Sequence, residues 1–70
     1  MNNVQDLFLQ ELLDNQMAVT LFLINGFQYQ GQIRRFDKFT VSIEVEGSQF
    51  LIFKKMISTV QTAEPLRLEW

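Results

Sequence analysis

The sequence predicts a mostly β domain in which an N-terminal α-helix precedes a strongly bent five-stranded antiparallel sheet, or small barrel. Three observations lead to this prediction: a leucine stripe near the N-terminus, five short segments rich in β-branched and aromatic residues, and tight turns between those segments. A chain of 70 residues holds one domain at most. We expect that domain to span residues 1–61 and a short C-terminal tail to span residues 62–70.

The predicted helix covers residues 5–15. Leu9, Leu12 and Leu13 recur at three- and four-residue intervals, which is the spacing of an amphipathic helix. Asp6 suits the positive end of the helix dipole. A helix this short is marginal in water, so its apolar face must pack against the sheet.

The first predicted hairpin joins strands at residues 17–24 and 27–36. Asn25-Gly26 between them predicts a two-residue type I′ turn, in which both central residues have a positive φ. Apolar and polar residues alternate through the second strand, which gives it one face of each kind. Gly31 inside that strand predicts a bend or a close backbone approach.

Three further strands are predicted at residues 39–45, 49–54 and 56–61, with a turn at Glu46-Gly47-Ser48. The fourth of the five strands is apolar on both faces, at Phe50-Leu51-Ile52-Phe53. An apolar edge strand aggregates unless another chain pairs with it. We therefore expect the fourth strand to pair with the fifth strand of a neighbouring copy, which is a head-to-tail contact that closes into a ring or extends as a filament.

Composition excludes several classes of function. The chain has no cysteine and no histidine, so disulfides, thiolate metal sites and the usual general base are absent. There is no glycine-rich phosphate loop and no convincing carboxylate pair. We predict no enzyme, no catalytic residue, no metal site and no cofactor. The sequence shows no signal peptide, and its longest apolar run, Leu21–Ile24, is too short to span a membrane, so we expect a cytoplasmic protein.

The segment 25–39 suggests nucleic-acid binding. Its glutamines offer uncharged hydrogen-bond donors and acceptors, and its aromatic rings suit unstacked bases. The net charge of the chain is −2, but five of the six basic residues lie within residues 28–55. Positive charge is therefore concentrated in the middle of an otherwise acidic chain. Solvated strand ends would also explain this pattern.

Five motifs in the chain resemble those of the bacterial Hfq family of Sm-like RNA chaperones. They are Val4-Gln5-Asp6-x-Phe8-Leu9, Asn25-Gly26, Gln30-Gly31-Gln32-Ile33, Phe36-Asp37-Lys38-Phe39 and Lys54-Lys55-Met56-Ile57-Ser58-Thr59. The resemblance covers roughly residues 4–61. It implies an Sm-like or SH3-like small barrel, a homohexameric ring, and binding of small regulatory RNAs and messenger RNAs whose pairing the ring assists in post-transcriptional regulation.

The resemblance implies two RNA-binding faces. The proximal face, around the pore, would bind U-rich RNA through Gln5, Lys38, Phe39, Lys54 and Lys55. There Phe39 would stack on uridine, and Lys54 would contact a uracil edge and a phosphate.

The distal face would bind A-rich or purine-rich RNA between neighbouring subunits. Its residues would be Phe22, Leu23, Gly26, Phe27, Tyr29, Gln30, Gln49 and Thr59. The match of Gln49 to the family position depends on where one extra residue near Gly47 is placed.

The chain departs from the family pattern at the pore and at the rim. Lys55 stands where the family has histidine, and a lysine cannot reproduce the contacts of an imidazole ring. Phe53 replaces the usual tyrosine. Residues 13–16 lack the arginines that many members carry at the end of the helix, and Arg34 and Arg35 replace them only in part.

Two other functions fit the sequence. One is a protein-interaction barrel whose apolar edges recruit a partner strand or helix. The other is a divergent ring paralogue with reduced RNA-annealing activity, which the missing rim arginines and Lys55 favour.

Overall fold

The computed structural model describes residues 4–63 as one helix followed by five antiparallel strands. The elements are α1 (Val4–Asp14), β1 (Ala18–Leu23), β2 (Gln28–Phe36), β3 (Thr40–Val45), β4 (Ser48–Phe53), a 3₁₀ turn (Lys54–Met56) and β5 (Ile57–Thr62). The predicted fold class is confirmed, and every predicted boundary lies within one residue of the observed one. β5 ends one residue beyond the predicted domain boundary, and residues 64–70 of the predicted tail lie outside the described residues.

The helix packs its leucine stripe on the sheet, as predicted. Leu9 and Leu12 are fully buried, together with β-strand residues such as Leu21 and Ile43. The helix ends in a Schellman motif, in which the N–H of Met17 donates to the carbonyl of Leu12 at 3.2 Å and Gln16 adopts a φ of 50°. This turn directs the chain from α1 into β1.

The hairpin at Asn25-Gly26 is present, but the predicted type I′ turn is wrong. Of the two residues only Gly26 has a positive φ, of 93°. The N–H of Gly26 donates to the carbonyl of Leu23 at 3.0 Å, and the N–H of Leu23 donates to the carbonyl of Phe27 at 2.9 Å. The connection is therefore a three-residue loop with glycine at its left-handed position. The Asn25 side chain stabilises this loop by accepting a hydrogen bond from the N–H of Phe27 at 3.1 Å.

The next turn has the geometry that we expected at the first. Glu46 and Gly47 have φ values of 49° and 85°, and they join the paired residues Val45 and Ser48. Two consecutive positive φ values in a two-residue loop define a type I′ turn.

Gly31 marks a close backbone approach, which is one of the two outcomes that the sequence predicted for it. A Cβ atom at this position would overlap the backbone carbonyl oxygen of Glu44 on β3. Glycine is therefore required here by the close approach of two backbones rather than by its own φ. Two residues further along β2, Ile33 is 1% exposed and belongs to the core.

The bent sheet is open within residues 4–63, with the strand order β4-β3-β2-β1-β5. β4 and β5 are its two edges, and no strand of the described chain pairs with the outer side of either. Phe50, Leu51 and Phe53 on β4 are 37%, 68% and 54% exposed. β4 is therefore the apolar edge strand that the sequence indicated.

Candidate nucleic-acid interface

The loop between β2 and β3 holds Phe39 in solvent. The Asp37 carboxylate accepts hydrogen bonds from the N–H of Phe39 at 2.8 Å, from the N–H of Thr40 at 2.7 Å and from the Thr40 hydroxyl at 2.8 Å. Phe39 is 67% exposed, and Lys38 Nζ lies 5.5 Å from the centre of its ring. Asp37 is thus a turn residue, and it fixes the position of an exposed ring that can stack on a base.

These hydrogen bonds lower the pKa of Asp37 from its usual value of 3.8, and the bond from the Phe39 N–H has the largest effect. The charge of Lys54 makes a smaller contribution in the same direction. Each bond favours the ionised carboxylate over the acid. The loop conformation and the charge of Asp37 are therefore linked.

Four of the five proximal candidates surround one depression, which we call the lysine pocket. It has a volume of about 440 Å³ and is lined by Lys38, Phe39, Phe53, Lys54 and Lys55. No carboxylate is among these lining residues. A pocket of ammonium groups and aromatic rings suits a ligand that combines phosphate with a flat base.

The ammonium group of Lys54 is already engaged inside the subunit. Lys54 Nζ donates to the Asp6 carboxylate at 2.7 Å and lies 5.2 Å from the centre of the Phe36 ring, and its side chain is only 10% exposed. Lys38 and Lys55 are exposed, so they are the two lysines of the pocket that face solvent. The sequence predicted neither the ion pair nor the role of Phe36, although Asp6 and Phe36 both lie within the quoted motifs.

Gln5, the fifth proximal candidate, lies elsewhere on the subunit. It lines a depression between α1 and β5 together with Val4, Phe8 and Ser58. A single chain therefore does not bring Gln5 into the lysine pocket.

The distal candidates divide between the two faces of the sheet. Phe22 pairs with Thr59 on β5, and both side chains lie on the face turned away from the core. Leu23 and Tyr29 pack against the core instead, and the Tyr29 ring lies 5.0 Å from the Phe50 ring, centre to centre. Within one subunit these aromatic residues therefore cannot form a single site.

The other distal candidates occupy three places. Gly26 and Phe27 lie in the β1–β2 loop, where Phe27 is 64% exposed. Gln30 is exposed on β2 and pairs with Thr20. Gln49 is exposed on the edge strand β4, opposite Glu44.

The end of the helix carries no positive charge. The last turn of α1 contains no basic residue, and Asp14 there accepts a hydrogen bond from Gln10 at 2.8 Å. Arg34 forms an exposed ion pair with Glu44 at 3.1 Å. Of the two neighbouring arginines, Arg35 therefore has no ion pair among residues 4–63.

Residues 4–63 contain neither a membrane-spanning helix nor a cluster of metal-binding side chains. No helix in this range is long and apolar enough to cross a membrane. The acidic side chains of the same residues form no group that could hold a metal ion.

Comparison with known proteins identifies the family. The family model described as "Hfq protein" matches residues 4–67. The chain is 48% identical over 66 residues to an RNA-binding protein Hfq of Desulfitobacterium hafniense, an alignment that covers 94% of this chain and 80% of the relative. It is 47% identical over 64 residues to an RNA-binding protein Hfq of Pelotomaculum thermopropionicum, and that alignment covers 91% of this chain and 77% of the relative.

A solved structure leads to the same family. The fold is similar to the crystal structure of the pleiotropic translational regulator Hfq, with a TM-score of 0.80 and 46% identity, over 83% of this chain and 97% of the other. The predicted resemblance is confirmed: the chain belongs to the Hfq family and has its Sm-like fold.

Proposed function

We propose that this protein is an RNA-binding chaperone that holds small regulatory RNAs and messenger RNAs on a ring and assists their pairing. Its relatives are named RNA-binding proteins. The observation that carries the proposal is the lysine pocket, in which the exposed Phe39 ring stands beside Lys38 and Lys55 with no lining carboxylate. Stacking on an aromatic ring combined with cationic side chains is the general mode of binding for single-stranded nucleic acid.

The ring would form by pairing of β4 in one copy with β5 in the next. Both strands have a free outer edge within residues 4–63, and the exposed apolar side chains of β4 would be covered in the contact. The contact is head-to-tail, so it closes when the rotation between copies permits. The family resemblance implies six copies.

Ring closure would also complete both RNA sites. Gln5 lies beside β5, the strand that would receive the neighbour's β4, and β4 leads directly into Lys54 and Lys55. Gln5 of one copy would thus approach the lysine pocket of the next. In the same way, Phe22 and Thr59 of one copy would meet Leu23 and Tyr29 of another at the distal face.

U-rich RNA would bind at the lysine pocket. Phe39 would stack on a base, while Lys38 and Lys55 would contact phosphates. Lys54 would act mainly by making the pocket wall rigid, because its ammonium group is held by the Asp6 carboxylate, which offsets its charge. Lysines are point charges without an acceptor, so binding here would depend strongly on salt.

Annealing activity would be weaker than binding. The last turn of α1 has no basic residue, and Arg34 is paired with Glu44. Few basic side chains at the rim are therefore free to contact the phosphates of two RNAs while they pair.

The experiment that tests this function is native mass determination, alone and with short U-rich and A-rich RNA oligonucleotides. We expect a closed oligomer that binds both. Affinity measured against salt concentration separates RNA binding from apolar protein docking, because each phosphate contact to a single strand contributes about −0.7 to the slope of log K against log salt. A strict monomer that binds neither oligonucleotide contradicts the proposal. A salt-independent interaction would favour the protein-interaction barrel.

A further inference from the structure

Two of the ammonium groups in the lysine pocket are free of ion pairs within residues 4–63. Lys54 Nζ is bound by the Asp6 carboxylate at 2.7 Å, and the charge of Lys54 also stabilises the ionised form of Asp37. Lys38 and Lys55 are exposed, and neither forms an ion pair within the same residues. The pocket therefore offers a ligand the charges of Lys38 and Lys55.

A backbone hydrogen bond keeps the elements that carry these two lysines together. The N–H of Lys54 donates to the carbonyl of Phe39 at 2.7 Å, which joins the 3₁₀ turn to the end of the β2–β3 loop. Lys38 and Phe39 belong to the loop, and Lys55 belongs to the turn. Both free ammonium groups therefore lie around one exposed aromatic ring, in a single depression of about 440 Å³.

A terminal phosphate matches these charges better than an internal phosphate does. A phosphodiester within a strand carries one negative charge, whereas a phosphate monoester carries about −1.5 to −2 at neutral pH and presents three acceptor oxygens. A lysine ammonium is a compact charge with three donors, so Lys38 and Lys55 can both bind one monoester. Two internal phosphates would match both lysines only if the strand passed into the depression and out again, whereas a terminal nucleotide enters once.

We propose that the lysine pocket selects RNA ends that carry a phosphate monoester over ends with a free hydroxyl group, and that Lys55 determines this preference. The inference rests on the proposed RNA binding and deepens it at the same site. Hydrolysis of a phosphodiester leaves a monoester on one of the two new ends. The pocket would therefore distinguish RNA cleaved in this way from an end that has lost its phosphate.

The test compares U-rich oligonucleotides of one sequence that carry a 3′-phosphate, a 5′-phosphate, or hydroxyl groups at both ends. Each competes for the wild-type protein with an internally labelled oligonucleotide, so that no dye occupies an end. We expect at least one phosphorylated probe to bind about three- to tenfold more tightly than the hydroxyl probe. The end that shows the preference identifies the source of the phosphate.

Lys55→Gln removes the free charge from the 3₁₀ turn and should reduce the preference to less than about twofold. Lys55 is a better choice than Lys38, because the Lys38 ammonium also lies against the Phe39 ring. Arg35→Gln is the matched control, since it removes one exposed positive charge that does not line the pocket. It should keep the wild-type ratio between the probes, whatever its effect on the affinity for each.

The pH provides a readout that depends on the charge of the ligand. The second pKa of a phosphate monoester is about 6, so a terminal phosphate carries about one charge at pH 5. The chain has no histidine, and Asp37 stays ionised at that pH because its pKa is lowered from 3.8. The preference of wild type for the phosphorylated probe should therefore shrink between about pH 7 and about pH 5.

Four results would each overturn the preference for a terminal phosphate while the proposed function stands. They are equal affinity of wild type for the three probes, an undiminished preference in Lys55→Gln, the same loss of preference in Arg35→Gln, and a preference that does not change with pH. Failure of wild type to bind any probe would overturn both proposals.

Discussion

Lys54 and Asp6 form an ion pair that joins the start of α1 to the 3₁₀ turn after β4. The Lys54 ammonium lies 2.7 Å from the Asp6 carboxylate and 5.2 Å from the centre of the Phe36 ring. The lysine side chain is 10% exposed and the aspartate side chain 31% exposed. The lysine is thus shielded from solvent more than the aspartate is. Loss of the aspartate would leave a largely buried ammonium group beside the Phe36 ring without its ion-pair partner.

Asp6→Ala should destabilise the protein. The substitution removes the partner of a largely buried charge, and we expect the free energy of unfolding to fall by about 1–2 kcal/mol. Denaturant unfolding at a fixed protein concentration measures this, since the stability of an oligomer depends on concentration.

The control for the Asp6 prediction is Lys54→Met, alone and combined with Asp6→Ala. Methionine fills similar space without a charge, so the double variant should lose less stability than the sum of the two single losses. Strict additivity would show that the ion pair contributes nothing.

The Asp37 loop should respond to acid. The pKa of Asp37 is lowered in the folded protein, chiefly by the Phe39 N–H and the Thr40 hydroxyl, so the unfolded state binds a proton more readily. This contribution to stability is complete above the usual pKa of 3.8 and is lost as the pH falls through the lower folded value. Wild type should therefore exceed Asp37→Asn in melting temperature at neutral pH, with the difference shrinking once the pH falls below about 4.

Thr40→Val is the informative second variant for that loop. It removes the hydroxyl donor but keeps both backbone donors to Asp37, so its pH dependence should lie between those of wild type and Asp37→Asn. If the difference in melting temperature between wild type and Asp37→Asn stays constant down to acid pH, the Asp37 charge does not stabilise the loop.

Local sequence patterns predicted the elements because their causes are local. The leucine spacing predicted α1, alternation predicted the strands, and two-sided apolarity predicted that β4 is an edge. The turn at Asn25-Gly26 was predicted with the wrong geometry because Asn25 keeps a negative φ and its side chain caps a longer loop instead.

Contacts between distant segments could not be predicted in the same way. Asp6 and Lys54 are 48 residues apart, and no periodicity relates them. The alignment of Thr20 with Gln30 and Gln61 depends on the register of β1 against both β2 and β5. Candidate residues were therefore identified by type, whereas their grouping into the lysine pocket required the structure.

Gly31→Ala should be among the most damaging single substitutions in the sheet. The added methyl group would meet the backbone carbonyl of Glu44, and a backbone cannot move aside as a flexible side chain can. We expect a loss of about 3 kcal/mol in the free energy of unfolding, or failure to fold, followed by circular dichroism and denaturant unfolding.

Gly47→Ala separates steric overlap from backbone strain. Gly47 has open space around its Cα but a φ of 85°, so alanine there should cost only about 1 kcal/mol. The steric explanation for Gly31 is wrong if Gly47→Ala proves the more destabilising of the two.

The two RNA faces should respond independently to aromatic substitutions. Phe39→Ala removes an exposed ring that lines the lysine pocket, and Phe22→Ala removes a ring on β1 that does not line it. Loss of one stacking interaction is worth about 1–3 kcal/mol per base, or about five- to 150-fold in affinity. Phe39→Ala should therefore weaken U-rich binding and spare A-rich binding, while Phe22→Ala should do the reverse, as measured by fluorescence anisotropy with labelled oligonucleotides.

Phe22 is the better probe of the distal face than Tyr29. The Tyr29 ring packs against Phe50 at 5.0 Å and against the core, so its removal would also disturb the edge strand through which the ring is proposed to form. Native mass determination on both phenylalanine variants checks that assembly is intact. If each variant weakens both oligonucleotides equally while the oligomer persists, the two faces do not act as separate sites, and a single shared RNA path must replace them.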